Sequence, residues 1–130
     1  MTVFTEPRHP AEFLLSEGNG FISRDVVTLA SNGSTAIAYK AGSVLALVTA
    51  SSKYVYYDNA GTDGTETAKV ILLEGCTVPA TGDLKAAVIA RAAEVKGSAL
   101  EYDPSLSGGT LTTAQAAAAV DLAAYGIIVR

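Results

Sequence analysis

The sequence predicts a mainly β domain with one short C-terminal helix and an extended N-terminal arm. Three observations carry this reading. From Arg24 to Asp58 short segments rich in β-branched and aromatic residues alternate with turn residues, in the order "DVVTLA", "SNGS", "TAIAYK", "AG", "SVLALVT", "ASSK" and "YVYYD", which reads as a run of hairpins. The C-terminal stretch "TTAQAAAAVDLAAYG" is alanine-rich and helix-like. All three phenylalanines (Phe4, Phe13, Phe21) fall in the first 21 residues and all six tyrosines come later, so the N-terminus is a different kind of segment.

Length and charge bound the answer further. At 130 residues the chain is one domain's worth, enough to bury roughly two-thirds of its unfolded surface in one core. Its longest apolar runs, such as "VLALV" and "AAVIA", are five residues, against the ~20 that cross a bilayer. No membrane partner is expected. The start "MTVFTEPRHP" lacks the pattern of a secretory signal, so synthesis in the cytoplasm is expected. A lone Cys76 has no internal disulfide partner and reads as a small buried hydrophobe. The nine basic residues are scattered within a formal charge of −4, which gives no footprint for a phosphate backbone and no nucleic-acid partner.

Residues 1–20 read as the arm. Pro7 and Pro10 favour extended backbone, and Gly18 and Gly20 flank Asn19 as a hinge; the alternative is an edge strand or short helix around "AEFLL" packed on the domain. Asn32-Gly33 suits a tight turn, since both residues tolerate positive φ. Asp58 to Glu66 is a polar loop, and "AKVILLEG" after it is the most apolar strand, central to the sheet. The passage "LKAAVIARAAEVKG" suits either a capped helix or a strand; a strand through Ile89 to Arg91 with a change of direction near Gly97 is favoured. Thr112 and Gln115 have capping-box spacing, which starts the helix near Thr113. Gly126 ends it as a left-handed residue, and Ile127-Ile128-Val129 reads as a closing strand.

A search for catalytic or ligand chemistry finds little. His9 is the only histidine and lies in the arm between Arg8 and Pro10, a poor foundation for a nucleophile-base pair. The loop from Asp58 does not follow the calcium-loop spacing: its third position is Ala60. "GNGFIS" and "SGGT" lack the glycine or Gly-Lys pattern of a phosphate cradle. Asn32-Gly33-Ser34 matches a glycosylation acceptor but reads as a turn. No catalytic residue, cofactor or metal is assigned, and the weight moves to work done by surfaces.

The order of "VTLASNGSTAIAYKAGSVLALVT", "DGTETAKVILLEG", "AAVIARAAEVKGSALEY" and "TAQAAAAVDLAAYGIIVR" resembles the head decoration proteins of the phage-lambda protein D family, over about residues 21–130. That resemblance implies a partial, β-clip-like β-barrel, with "AAVIARAAEV" as a strand. It also implies a non-enzymatic homotrimer on the outer surface of the virion that binds the major capsid protein and stabilises the expanded phage head. Many members carry Trp-Pro where this chain has Tyr102-Asp103-Pro104. Leu100, Tyr102 and Pro104 are the candidate trimer-contact residues.

The capsid-binding candidates are Val3, Phe4, Thr5, Glu6, Phe13, Leu14 and Leu15. Burying the large apolar side chains of the arm would contribute about 1.5–3 kcal/mol each. Ordering its backbone costs about 1–2 kcal/mol per residue, so burial alone does not hold it down. Pairing of Thr2 to Glu6 with a strand edge of the capsid protein would add backbone hydrogen bonds, and the helix has its own sheet or a sister subunit to pack against. The alternative function is a small β-barrel ligand-binding module or enzyme with a site built from the loops Asp58 to Glu66 and Asp103 to Thr110.

Overall fold

The computed structural model describes residues 3–20 and 22–130. Met1, Thr2 and Phe21, and with them the start of the expected Thr2 to Glu6 pairing, lie outside the described residues. Ten strands are described: β1 Leu14–Glu17, β2 Arg24–Leu29, β3 Ile37–Tyr39, β4 Val44–Val48, β5 Lys53–Tyr56, β6 Ala68–Leu72, β7 Cys76–Val78, β8 Leu84–Ile89, β9 Ala93–Val95 and β10 Ile127–Val129. A 3-10 turn covers Gly97–Ala99, and the helix α1 covers Gly108–Ala124.

The fold is mainly β with one C-terminal helix, and its barrel is closed: β2-β5-β4-β6-β8, with β8 returning to β2. The expected run of hairpins gives way to longer-range pairing. Only β4 and β5 form a local hairpin in that stretch, whereas β2 lies antiparallel to β8 from Arg24↔Ile89 to Leu29↔Leu84, and β3 pairs with β7. Asn32-Gly33 still makes a turn. Gly33 has φ 77, and the Asn32 side-chain oxygen accepts from the Ser34 and Thr35 amides at 2.9 Å. That turn leads the chain out of the barrel, not back along β2.

β4 and β6 explain the apolar runs. Leu45, Val70 and Leu72 join Leu29 and Val88 in one core inside the barrel, while Val44, Ala46, Ala68 and Ile71 face a second core with Phe13, Val95, Leu122 and Ile127. Strands buried on both faces lose the polar alternation that marks a half-exposed sheet. The expectation that "AKVILLEG" is central holds, since β6 sits between β4 and β8.

Two boundaries move. β8 ends at Ile89, and the chain turns through Ala92 at φ 50 before β9, so Ala90 and Arg91 are not strand. The expected capping box is inside the helix: α1 starts five residues earlier, at Gly108, with Ser107 at its N-cap making no side-chain cap bond. Thr112 and Thr113 hydroxyls instead donate to the Gly108 and Gly109 carbonyls four residues back. At the other end Gly126 has φ 80 and Tyr125 is the C-cap, as expected of a left-handed terminator. Ala114, Ala118 and Leu122 bury one face of α1 against the barrel, and Asp121 Oδ2 accepts the Ala68 amide at 3.0 Å.

Candidate functional site

The N-terminal segment divides at Arg8. Val3 and Phe4 are 81% and 90% exposed, and Thr5 and Glu6 are exposed with them. Arg8 then clasps the body: its guanidinium donates to the Ala99 carbonyl at 2.7 Å and pairs with Glu101 at 2.7 Å and Glu12 at 3.3 Å. The His9 amide, followed by Arg8, holds the Glu12 carboxyl below its ordinary range. Three residues on, the Ala11 amide donates to the Leu73 carbonyl at 2.9 Å, and Ala11 adopts φ 59.

Beyond this clasp the segment belongs to the domain. Phe13 is fully buried in the second core, and its carbonyl accepts the Lys96 amide at 2.8 Å. Leu14 is half-buried and opens β1, which lies antiparallel to β9, and β10 completes that three-stranded sheet. Leu15 is 52% exposed. Of the seven candidate capsid contacts, Val3, Phe4, Thr5 and Glu6 therefore stand together, Leu15 is open on a strand, Leu14 is partly covered, and Phe13 has no free surface.

Gly18, expected to open a hinge, is a tied corner. Its amide lies 2.9 Å from the Ala92 carbonyl and 2.7 Å from the Ser23 hydroxyl oxygen, and that hydroxyl donates to the same carbonyl at 2.8 Å. A side chain at Gly18 would meet Ile22 Cγ2 at 2.5 Å, so Ile22 would have to shift to admit one. Arg24 and Glu17 pair at 2.7 Å across this corner, and the arginine's hydrogen bond, then its charge, lowers the Glu17 pKa.

The three candidate trimer contacts separate in the same way. Leu100 and Tyr102 pack into the second core, and burial pushes the Tyr102 phenol up to about 12. Pro104 is exposed, on the rim of a cleft of about 190 Å³ that runs from Leu100 past Asp103 to Leu111 and Gln115. The outer face of α1 adds Ala116, Ala123 and Ala124, all exposed, and Val120 at 73% exposure.

The two loops named for a ligand site do meet. Asp58, Asn59 and Ala60 face Leu106, Gly109 and Thr110 across a cleft of about 310 Å³. Asp58, Asp63 and Asp103 border another, floored by Tyr39 and Tyr56. Neither brings a histidine or cysteine to a carboxylate. His9 Nε2 lies 2.7 Å from Glu6 on the exposed segment, and burial, then Glu74, raises the Cys76 thiol pKa. Among the described residues no group of three His, Cys, Asp or Glu side chains could hold a metal ion, and no helix is long and apolar enough to cross a membrane.

An exposed apolar N-terminal segment on a closed β-barrel with a C-terminal helix meets a matching family. The family model described as bacteriophage lambda head decoration protein D matches residues 3–127. The chain belongs to that family. Membership makes it a structural component of the virion capsid, a phage head protein that binds the capsid. The match begins at Val3, so the exposed segment lies within the family's own pattern. No curated protein matches the chain.

Sequence reasoning missed the Arg8 clasp and the tyrosine-floored cleft. Arg8 finds its carbonyl partner 91 residues away, and no local pattern announces such a contact.

Proposed function

We propose that this chain decorates the outer surface of the phage head as a homotrimer, and that its exposed N-terminal segment anchors it to the major capsid protein and so stabilises the expanded shell. The observation that carries this is the contrast between Val3 and Phe4, 81% and 90% exposed, and Phe13, buried completely on the other side of the Arg8 clasp. A free chain gains nothing from a phenylalanine left in water, whereas burying it on a partner contributes about 1.5–3 kcal/mol. The segment from Val3 to Glu6 is in neither helix nor strand, and Pro7 lacks an amide donor. Those residues are thus suited to adding a short strand to an exposed sheet edge of the capsid protein.

The clasp sets the length of the anchor. Because Arg8 is held at Ala99 and Glu101, only the residues before it are free to reach a partner without unmaking the domain. Three such anchors on a trimer bind together with an avidity well above that of one. The exposed face of α1, where Ala116, Ala123 and Ala124 accompany Val120, offers small side chains that allow close approach of a sister subunit. Synthesis in the host cytoplasm precedes assembly on the shell, and neither a membrane nor nucleic acid is a partner.

Co-sedimentation with expanded heads tests the anchor. Removing Met1 to Pro7 should leave thermal unfolding nearly unchanged and sharply reduce saturation of the heads. Wild-type saturation by the truncated protein would remove the segment from the binding role. Light scattering across a concentration series tests the trimer, which a strictly monomeric mass at high concentration would restrict to the capsid.

A further inference from the structure

We propose that the cleft between the loops at Asp58–Glu66 and Asp103 receives an arginine side chain of the capsid protein, a second contact besides the N-terminal anchor. This rests on the capsid-binding reading above. The cleft has a volume of about 330 Å³, and Tyr39, Tyr56, Asp58, Asp63, Thr65 and Asp103 are among the residues that line it. The two tyrosine rings lie 4.6 Å apart at 39°, and Tyr56 is the more open of the two.

All three carboxylates spend one oxygen on their own turn. Asp58 Oδ1 accepts the Ala60 amide at 3.0 Å, Asp63 Oδ1 accepts the Thr65 amide and hydroxyl at 3.3 and 2.5 Å, and Asp103 Oδ1 accepts the Ser105 amide at 2.9 Å. Among the described residues each Oδ2 has no partner, and none of the three aspartates joins an ion pair. No basic residue lines the cleft. The negative charge thus has no basic partner among the described residues.

Tyr39 supplies an independent reason to expect a ligand. It is 4% exposed, yet its hydroxyl has no hydrogen-bond partner among the described residues. No fully enclosed polar side-chain atom there lacks a partner, so the hydroxyl lies in the small part of the residue left open, at the cleft that it lines. A phenol buried to this degree has only the cleft from which to take a polar partner.

A guanidinium meets all of these features. It is planar, stacks on aromatic faces, and carries five N–H donors that can reach several oxygens at once. A second copy of this chain is a poor source, because all four of its arginines are engaged: Arg8 with Glu12 and Glu101, Arg24 with Glu17, Arg91 with Asp25, and Arg130 with Glu94. The guanidinium therefore comes from the protein on which the subunit sits.

The test has two arms. In the first, Asp58→Asn, Asp63→Asn and Asp103→Asn are combined, which keeps each Oδ1 acceptor and its turn, and affinity for expanded heads is measured beside thermal unfolding. Head binding should weaken about tenfold or more, as for a close charge pair at an interface, with little change in melting. Tyr39→Phe should weaken it by a smaller factor. In the second arm the free protein is titrated with N-acetyl-arginine-methylamide, followed by amide NMR shifts, beside the citrulline and lysine counterparts. Shifts at Tyr39, Asp63 and Asp103 with the arginine probe alone support the proposal. Equal shifts with citrulline or lysine overturn it, as does undiminished head binding by the triple variant while the wild type saturates. Should the wild type itself fail to bind heads, the capsid reading and this contact with it fall, even if the free cleft still selects arginine.

Discussion

Replacing each of two phenylalanines by alanine separates anchoring from folding. Phe13 is fully buried in the second core, among Val44, Val95, Leu122 and Ile127. Truncating a buried phenylalanine to alanine costs about 3–5 kcal/mol, the lost transfer energy plus the cavity left behind. Against a total of roughly 5–15 kcal/mol for a typical domain, that is a large fraction. At ~4 °C per kcal/mol for a chain of this size, melting should fall by about 10 °C or more. Phe4 is 90% exposed, so Phe4→Ala should change stability by less than about 0.5 kcal/mol while weakening attachment to heads. The assays are urea and thermal unfolding of both variants beside co-sedimentation with expanded heads. Removing Met1 to Glu17 should likewise destabilise the domain, since it deletes Phe13 and β1, whereas removing Met1 to Pro7 should not. If Phe13→Ala melts with the wild type, the division of the segment at Arg8 is mistaken.

Asp121→Ala leaves the amide of the fully buried Ala68 without this acceptor and should cost about 1–3 kcal/mol in urea unfolding, with Asp121→Asn recovering much of it. Gly42→Ala should destabilise by at least about 1 kcal/mol, because Gly42 has φ +90 and a Cβ there would meet the Ala99 carbonyl oxygen at 2.7 Å; an unchanged unfolding midpoint would contradict this geometry. Burial raises Tyr39, Tyr57 and Tyr102 from 10.0 to about 12. The unfolded chain therefore ionises first, and the stability that these phenols contribute is complete below pH 10 and lost as pH rises towards 12. Tyrosinate absorbance should accordingly rise together with unfolding at alkaline pH, and independent titration of these phenols in a folded chain would refute their burial.

Local chemistry was enough to read the C-terminal end of the chain. Gly126 stops the helix because a left-handed residue costs glycine little, and Ile127-Ile128-Val129 pairs as a strand after it. The mainly β class and the central place of Ala68–Leu72 were legible for the same kind of reason: β-branched and apolar runs suit strands, and a strand covered on both faces has no polar alternation. Tertiary structure alone decided the partners. β2 pairs with β8 rather than with the strand that follows it, because closing the barrel satisfies both of its edges and buries Leu29 beside Val88. The start of the helix moved for a similar reason. Thr112 and Thr113 return their hydroxyls to the preceding turn, and the register of α1 follows from Ala114, Ala118 and Leu122 facing the barrel. The candidate site shows the division most sharply. Val3, Phe4 and Phe13 are chemically alike as apolar residues in a proline-punctuated segment, and sequence grouped them as one arm. Contacts from Arg8 to Ala99 and from Phe13 to Lys96 separate them, and contacts between residues so far apart in the chain exist only once the whole domain has folded.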